Sequence, residues 1–177
     1  MTLWVWRHPR ALGADGRCIG RTDQPVDPRR AKRLAHRIRA LARRQGLPRI
    51  VITSPLQRCH EVGRWLRLWG WQHRVEPALA EMDFGAWDGR RWADIPQAEV
   101  DTWCQDFLHH APGGGESVHA FFTRVQAWTP PARGACIVGH AGWMLAWRWL
   151  ASGEPWPTQA AQWPAPPPHG TQWTLPP

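Results

Sequence analysis

Three short apolar runs, Leu3-Trp4-Val5-Trp6, Ile50-Val51-Ile52-Thr53 and Ala135-Cys136-Ile137-Val138, carry no helical periodicity, and each is followed by a stretch whose apolar residues recur at helical spacing. Runs this short, bounded by charged or turn-forming residues, read as strands buried on both faces. Strands that alternate with amphipathic helices build βαβ units, because a parallel pair needs a crossover long enough to bring the chain back. The pattern predicts an α/β fold: a three-layer αβα sandwich around a mostly parallel central sheet. No repeat or composition break divides the chain, and residues 1–177 are expected to form a single domain.

Local signals set the boundaries. Asp27-Pro28 supplies an N-cap and a proline at the first helical position, Ala31, Leu34, Ala35, Ile38, Leu41 and Ala42 share a face, and Gly46 is the natural stop. The arginines of this helix fall mostly off the apolar stripe and read as its solvated face. Ser54-Pro55 reads as a second cap-plus-proline start, for a helix carrying Val62, Trp65, Leu66 and Trp69 that ends near Gly70. A further strand is expected over about residues 73–79, interrupted by Pro77. Val118, Phe121, Phe122 and Val125 mark an amphipathic helix, and residues 143–150 a helix apolar nearly all round. The tail, residues 154–177, is proline-rich and is expected to run extended before an edge strand over 171–175.

Composition excludes some classes. With 43% apolar and 20% charged residues the chain is in the globular range. No run approaches the roughly 18 apolar residues of a membrane span, and Arg7 cuts the N-terminal apolar run short, so a cytoplasmic protein is expected. The widely spaced Cys18, Cys59, Cys104 and Cys136 contain no CxxC pair and read as unpaired, buried or half-buried thiols. The formal charge of +8, nearly all guanidinium, favours anionic partners. Fifteen tryptophans with no tyrosine include the i,i+4 pairs Trp65/Trp69 and Trp143/Trp147, which helix packing explains more simply than base stacking.

In open α/β sheets ligands bind beyond the carboxyl ends of the strands. Arg7-His8 ends the first strand, Arg58 lies in the first turn of the helix after the second, and His140 ends the strand at 135–138. Singly, each has a plain structural explanation. Together, two imidazoles and two guanidiniums at strand ends, beside helix N-termini, make a phosphate site the economical reading. Glu81, Asp83 and Asp88 are rival acids by composition.

These residues sit in recognisable company. Arg7-His8, Ser54-Pro55-Leu56-Gln57-Arg58-Cys59, Glu81-Met82-Asp83-Phe84-Gly85-Ala86-Trp87-Asp88-Gly89, Gly113-Gly114-Gly115-Glu116-Ser117 and Val138-Gly139-His140-Ala141-Gly142 resemble, in order and over essentially the whole chain, the histidine phosphatase superfamily. The resemblance implies a phosphoglycerate mutase-like fold and metal-independent hydrolysis without a cofactor. It makes His8 the nucleophile that becomes phosphohistidine. Arg7, Arg58 and His140 would hold the phosphoryl oxygens, and Glu81 would donate a proton to the leaving oxygen. Arg21 is a candidate for contact beyond the phosphate, with a plain loop arginine as the alternative. Pro9 stands where the superfamily usually has glycine, and Gly139 where a hydroxyl residue is often found.

The short chain and the lack of a long insertion after Glu81 favour hydrolysis over mutase chemistry. Among the superfamily's branches the features look most like the α-ribazole phosphatases of cobalamin assembly; broad-specificity phosphatases share them, and phosphoglycerate mutase is the remaining relative. The implied partner is a small-molecule phosphate ester, not nucleic acid or a membrane. Trp87 and Trp92 could stack on a flat leaving group or fill core. The competing class is a basic, tryptophan-rich nucleic-acid module tracking phosphates with residues 29–44, for which no recognised motif speaks.

Overall fold

A computed structural model describes residues 2–130 and 134–176. Five strands, β1 (Leu3–Arg7), β2 (Ile50–Thr53), β3 (Gln72–Val75), β4 (Cys136–Gly139) and β5 (Gln172–Leu175), form one sheet in the order β3-β2-β4-β1-β5. All neighbours run parallel except β5, which pairs antiparallel with β1 at the edge. The helices are α1 (Pro28–Gln45), α2 (Gln57–Leu68), α3 (Gln97–Gln105), α4 (Val118–Ala127) and α5 (Ala141–Ser152). None among the described residues is long and apolar enough to cross a membrane.

Strand alternation sorts the core into two layers. Leu3, Val5, Ile52 and Ile137 point to one face and pack with Phe121, Phe122, Trp143, Met144 and Trp147 of α4 and α5. Trp6, Val51, Cys136 and Val138 point to the other and meet Leu34, Ile38, Val62 and Leu66 of α1 and α2. Each large side chain so buried contributes on the order of 1.5–3 kcal/mol. The expected αβα sandwich is the observed one, and six of its fifteen tryptophans are buried while eight more pack partly buried against the core: Trp143 and Trp147 stack with ring centroids 5.2 Å apart.

Several boundaries move, each for a local reason. Helix α1 starts and stops as read, with Asp27 accepting from the Arg29 amide and Gly46 in the left-handed conformation. Helix α2, by contrast, begins at Gln57 and not at Ser54-Pro55. The Ser54 hydroxyl is taken by His140, and it is Asp23, from the loop after β1, whose carboxylate caps the Gln57 amide at 2.6 Å. Strand β3 ends at Val75 because Pro77 opens a 3₁₀ turn, Pro77–Leu79, capped by Glu76. Helix α3 was not expected; it buries no residue fully, so its apolar periodicity is weak. Cys104 is exposed, against the expectation of four shielded thiols, while Cys18, Cys59 and Cys136 are buried. The tail does supply the edge strand, β5.

Candidate active site

Strand register brings the chemistry together. In the β1–β4 pair Arg7 stands opposite Gly139, so the residues that follow, His8 and His140, emerge side by side. The His8 amide donates to the Gly139 carbonyl at 3.0 Å, and the two imidazole centroids are 5.0 Å apart. On the other side of β4, Thr53 of β2 stands opposite Val138, which delivers Ser54 and the first turn of α2 to the same edge. Arg58 in that turn is 1% exposed. Arg7, His8, Arg58 and Glu81 line one cavity of about 570 Å³.

The residue after His8 fixes its tautomer. The ring Nδ1 lies 2.6 Å from the Pro9 carbonyl oxygen. A carbonyl can only accept, so the proton is on Nδ1 and the lone pair is on Nε2. Pro9 in place of glycine leaves this contact intact, since the carbonyl and not the N–H is used. Burial, then the charge of Arg58, hold the His8 pKa well below the usual imidazole range. The ring is neutral at neutral pH.

Arg58 spends three nitrogens on positioning. Nη1 and Nη2 each donate at 2.7 Å, to the carbonyls of Thr22 and Gly20, and Nε donates to His140 Nδ1 at 3.3 Å. The His140 proton therefore sits on Nε2, which donates to Ser54 Oγ at 2.8 Å. His140 is 0% exposed and has no part in the cavity wall. In this arrangement His140 steadies Arg58 and backs His8. Arg7 binds the tail through Nη1, to the Pro167 carbonyl, while its buried Nε has no partner among the described residues. A buried guanidinium N–H without an acceptor is costly unless a ligand supplies one.

Glu81 enters from the segment after the Pro77–Leu79 turn. Its Oε2 accepts from the Gly142 amide at 3.0 Å and its Oε1 from the Met82 amide at 3.1 Å. Burial outweighs these bonds and raises its pKa. Gly142 is needed there for space, since a Cβ at that position would lie 2.3 Å from Oε1. The Glu81 carbonyl is held by Arg21 Nε at 2.8 Å and by Arg124 Nη2 at 3.3 Å. Arg21 is thus turned to the backbone of Glu81 through its Nε. The rival acids are spent on backbone: Asp83 accepts from the Gly85 amide, and Asp88 from the amides of Gly20, Arg21, Thr22 and Phe84 and the Thr22 hydroxyl.

Sequence reasoning missed four features. Arg124 pairs with Glu116, Nε to Oε1 at 2.8 Å and Nη2 to Oε2 at 2.9 Å, while its Nη1 reaches the carbonyls of Ala78 and Ala80, so it braces the segment that carries Glu81. Ser54 Oγ accepts from His140 Nε2, the nitrogen left protonated by the Arg58 contact. His169, from the tail, places its ring 5.3 Å from that of His8 and lines the cavity. The far wall is aromatic, formed by Phe84, Trp92, Trp103, Phe107 and Trp163. Of the two tryptophans singled out, Trp87 is core at 1% exposure and Trp92, at 43%, faces the cavity.

An α/β sheet whose strand ends bring a neutral imidazole, two guanidiniums and a buried carboxyl of raised pKa to one cavity defines a protein built to handle phosphate. The model of the histidine phosphatase superfamily (branch 1) matches residues 3–164, and the chain belongs to that superfamily. It is 32% identical over 132 residues to an adenosylcobalamin/alpha-ribazole phosphatase of Escherichia coli, a match covering 71% of this chain and 64% of the relative. A Salmonella typhimurium protein of the same name is 31% identical over 133 residues, with the same coverage. The chain thus spans under two thirds of the length of these curated relatives. The solved alpha-ribazole phosphatase of Shigella flexneri superposes with a TM-score of 0.71 at 26% identity, over 88% of this chain and 81% of that one. A mycobacterial glucosyl-3-phosphoglycerate phosphatase shares the fold, with a TM-score of 0.74 at 24% identity over 98% of this chain and 88% of that one.

Proposed function

We propose that this chain hydrolyses phosphate monoesters in two displacements at His8, and that its substrate is a ribotide with a flat apolar base, α-ribazole 5′-phosphate, in cobalamin biosynthesis. The observation that carries the reading is the meeting of two groups in one cavity: His8, whose Nδ1 faces the Pro9 carbonyl and leaves the lone pair on Nε2, and Glu81, whose burial raises its pKa.

In the first displacement His8 Nε2 attacks phosphorus in line, the P–O bond to the leaving group breaks, and the leaving oxygen takes the Glu81 proton. In the second, water attacks phosphorus in line, Glu81 takes the water proton, and the P–N bond breaks so that Nε2 regains its lone pair as phosphate departs. Arg7 and Arg58 offset charge on the equatorial oxygens. Their remaining N–H groups are held in place before substrate arrives, so little reorganisation is needed at the transition state. His140 acts through Arg58 and His8 as a positioning residue. Beyond the phosphate, the wall of Phe84, Trp92, Trp103, Phe107 and Trp163 offers faces and edges to an aromatic leaving group. The names of the two bacterial relatives point to the same ligand class.

The test is to trap the intermediate. Rapid alkaline quench of enzyme mixed with α-ribazole 5′-phosphate should give a phosphoryl adduct on the His8 peptide by mass spectrometry. His8→Ala should lose the adduct and at least about 10³-fold in turnover while its thermal midpoint stays near that of the parent. An adduct on another residue, or wild-type turnover in His8→Ala, would overturn the assignment.

A further inference from the structure

The seven arginines of α1 do not all belong to a uniform solvated face. Arg30, Arg33 and Arg37, one helical turn apart in succession, lie on one side of α1 above the buried Leu34, and together with Arg10 and His169 they line a second groove of about 430 Å³. None of the three helix arginines is paired with a carboxylate among the described residues; Arg10 alone has an acidic partner, Asp15. Like charges at i,i+3 and i,i+4 repel, so such a stripe weakens its own helix unless an anion lies against it. The floor is rigid. Gly170 takes a positive φ of 73°, and a Cβ there would lie 3.2 Å from Arg37 Nη1, so the glycine lets the guanidinium come close against the backbone of the tail.

The position of the groove gives it meaning. Arg10 and His169 line both it and the catalytic cavity, so the two spaces adjoin, with His8 on one side of the shared wall and the arginine stripe on the other. We propose that the groove is a second oxyanion site, which binds a phosphate or carboxylate group while the reacting phosphoryl occupies the His8 cavity. The anion can come from the substrate itself, as a second charged group on the ester, or from free inorganic phosphate. Either way the recognising chemistry is the same: several guanidiniums offering paired N–H donors to planar or tetrahedral oxygens. The inference goes beyond the hydrolase reading, which needs only one phosphoryl group.

The test compares the wild type with Arg30→Gln/Arg33→Gln, which leaves the Arg37–Gly170 contact and every residue of the catalytic cavity in place. Phenyl phosphate and 3-carboxyphenyl phosphate form a matched pair. If the second anion belongs to the substrate, the variant raises KM for the carboxylated ester by about fivefold or more at low salt. It leaves phenyl phosphate within twofold, and added salt shrinks the difference. If the anion is free phosphate, calorimetric titration with inorganic phosphate gives two sites per wild-type chain and one in the variant, with no preference between the esters. Equal effects on both esters, or none, together with unchanged phosphate stoichiometry, would overturn the proposal. The titration needs no turnover. An arginine-dependent second site in a protein that hydrolyses neither ester would therefore keep the groove and sink the hydrolase reading instead.

Discussion

Glu81 and His8 are tuned in opposite directions by the same surroundings. Burial disfavours the charged form of each, which pushes the carboxyl up and the imidazole down, and Arg58 adds to the effect on His8 while opposing it on Glu81. Catalysis needs His8 unprotonated and Glu81 protonated, so activity is lost on the acid side as His8 takes a proton and on the alkaline side as Glu81 gives one up. Lowering His8 and raising Glu81 moves both limbs in the sense that enlarges the population holding His8 unprotonated and Glu81 protonated. For an alkyl phosphate, whose leaving oxygen must be protonated, Glu81→Gln should cost about 10²–10⁴ in kcat/KM and remove the alkaline limb. For 4-nitrophenyl phosphate, whose leaving oxygen departs without a proton, the same variant should lose less than about tenfold. A pH profile of kcat/KM for both esters checks this, and equal losses on the two would remove Glu81 from the role of acid.

At the scale of elements, the Asp88 carboxylate joins backbone bonds such as Cys18 to Arg90 and Trp92 to Gly16 in binding the loop after β1 to the segment after Glu81. Burial alone would raise the Asp88 pKa, but the amides of Thr22, Gly20 and Arg21 and the Thr22 hydroxyl more than reverse this and hold it low. The carbonyls of Gly20 and Thr22, on the same loop, fix the Arg58 guanidinium. Asp88→Ala should therefore act on Arg58 from a distance. Several donors lose a buried acceptor, at about 1–3 kcal/mol, which lowers the thermal midpoint by roughly 2–12 °C. In addition, kcat/KM should fall about tenfold or more through a looser Arg58. A fall in midpoint with unchanged kcat/KM would show that the loop stands without Asp88. This also marks where sequence ceases to speak. Arg7, His8, Arg58 and His140 were legible because apolar runs locate strand ends, and a parallel sheet gathers strand ends on one edge. Asp88 looked like a rival acid because four of its five donors come from the loop after β1. Ser54 looked like a helix cap because its true partner, His140, is far along the chain. Arg124 and His169 carried no local signal at all, since their roles exist only once α4 and the tail have packed. The burial of His140 likewise depends on β2 and β1 flanking β4, which no single motif encodes.

At the scale of the whole molecule, the tail closes the fold and the site in one movement. Strand β5 covers the open edge of β1, Leu175 packs into the core at 4% exposure, and Trp147 Nε1 donates to the Pro176 carbonyl at 2.9 Å. Just before that strand the chain wraps the catalytic arginine. The Arg7 amide donates to the Thr171 carbonyl at 2.9 Å, the Gly170 amide to the Arg7 carbonyl at 3.1 Å, and Arg7 Nη1 to the Pro167 carbonyl, while His169 Nδ1 sits 3.3 Å from the His8 carbonyl. The turn depends on Gly170, whose φ of 73° suits few side-chain-bearing residues. Gly170→Ala should cost about 1–2 kcal/mol in the left-handed conformation, a drop of roughly 2–8 °C in thermal midpoint for a chain of this size. Because the strain falls on the carbonyls and amides around Arg7, kcat/KM should fall about tenfold, well beyond what the small unfolded fraction at assay temperature removes. Thermal melts and kinetics on the same preparation separate the two effects. A lowered midpoint with full kcat/KM would make the tail a cover for the sheet edge and nothing more, and Arg7 would then have to be held by β1 alone.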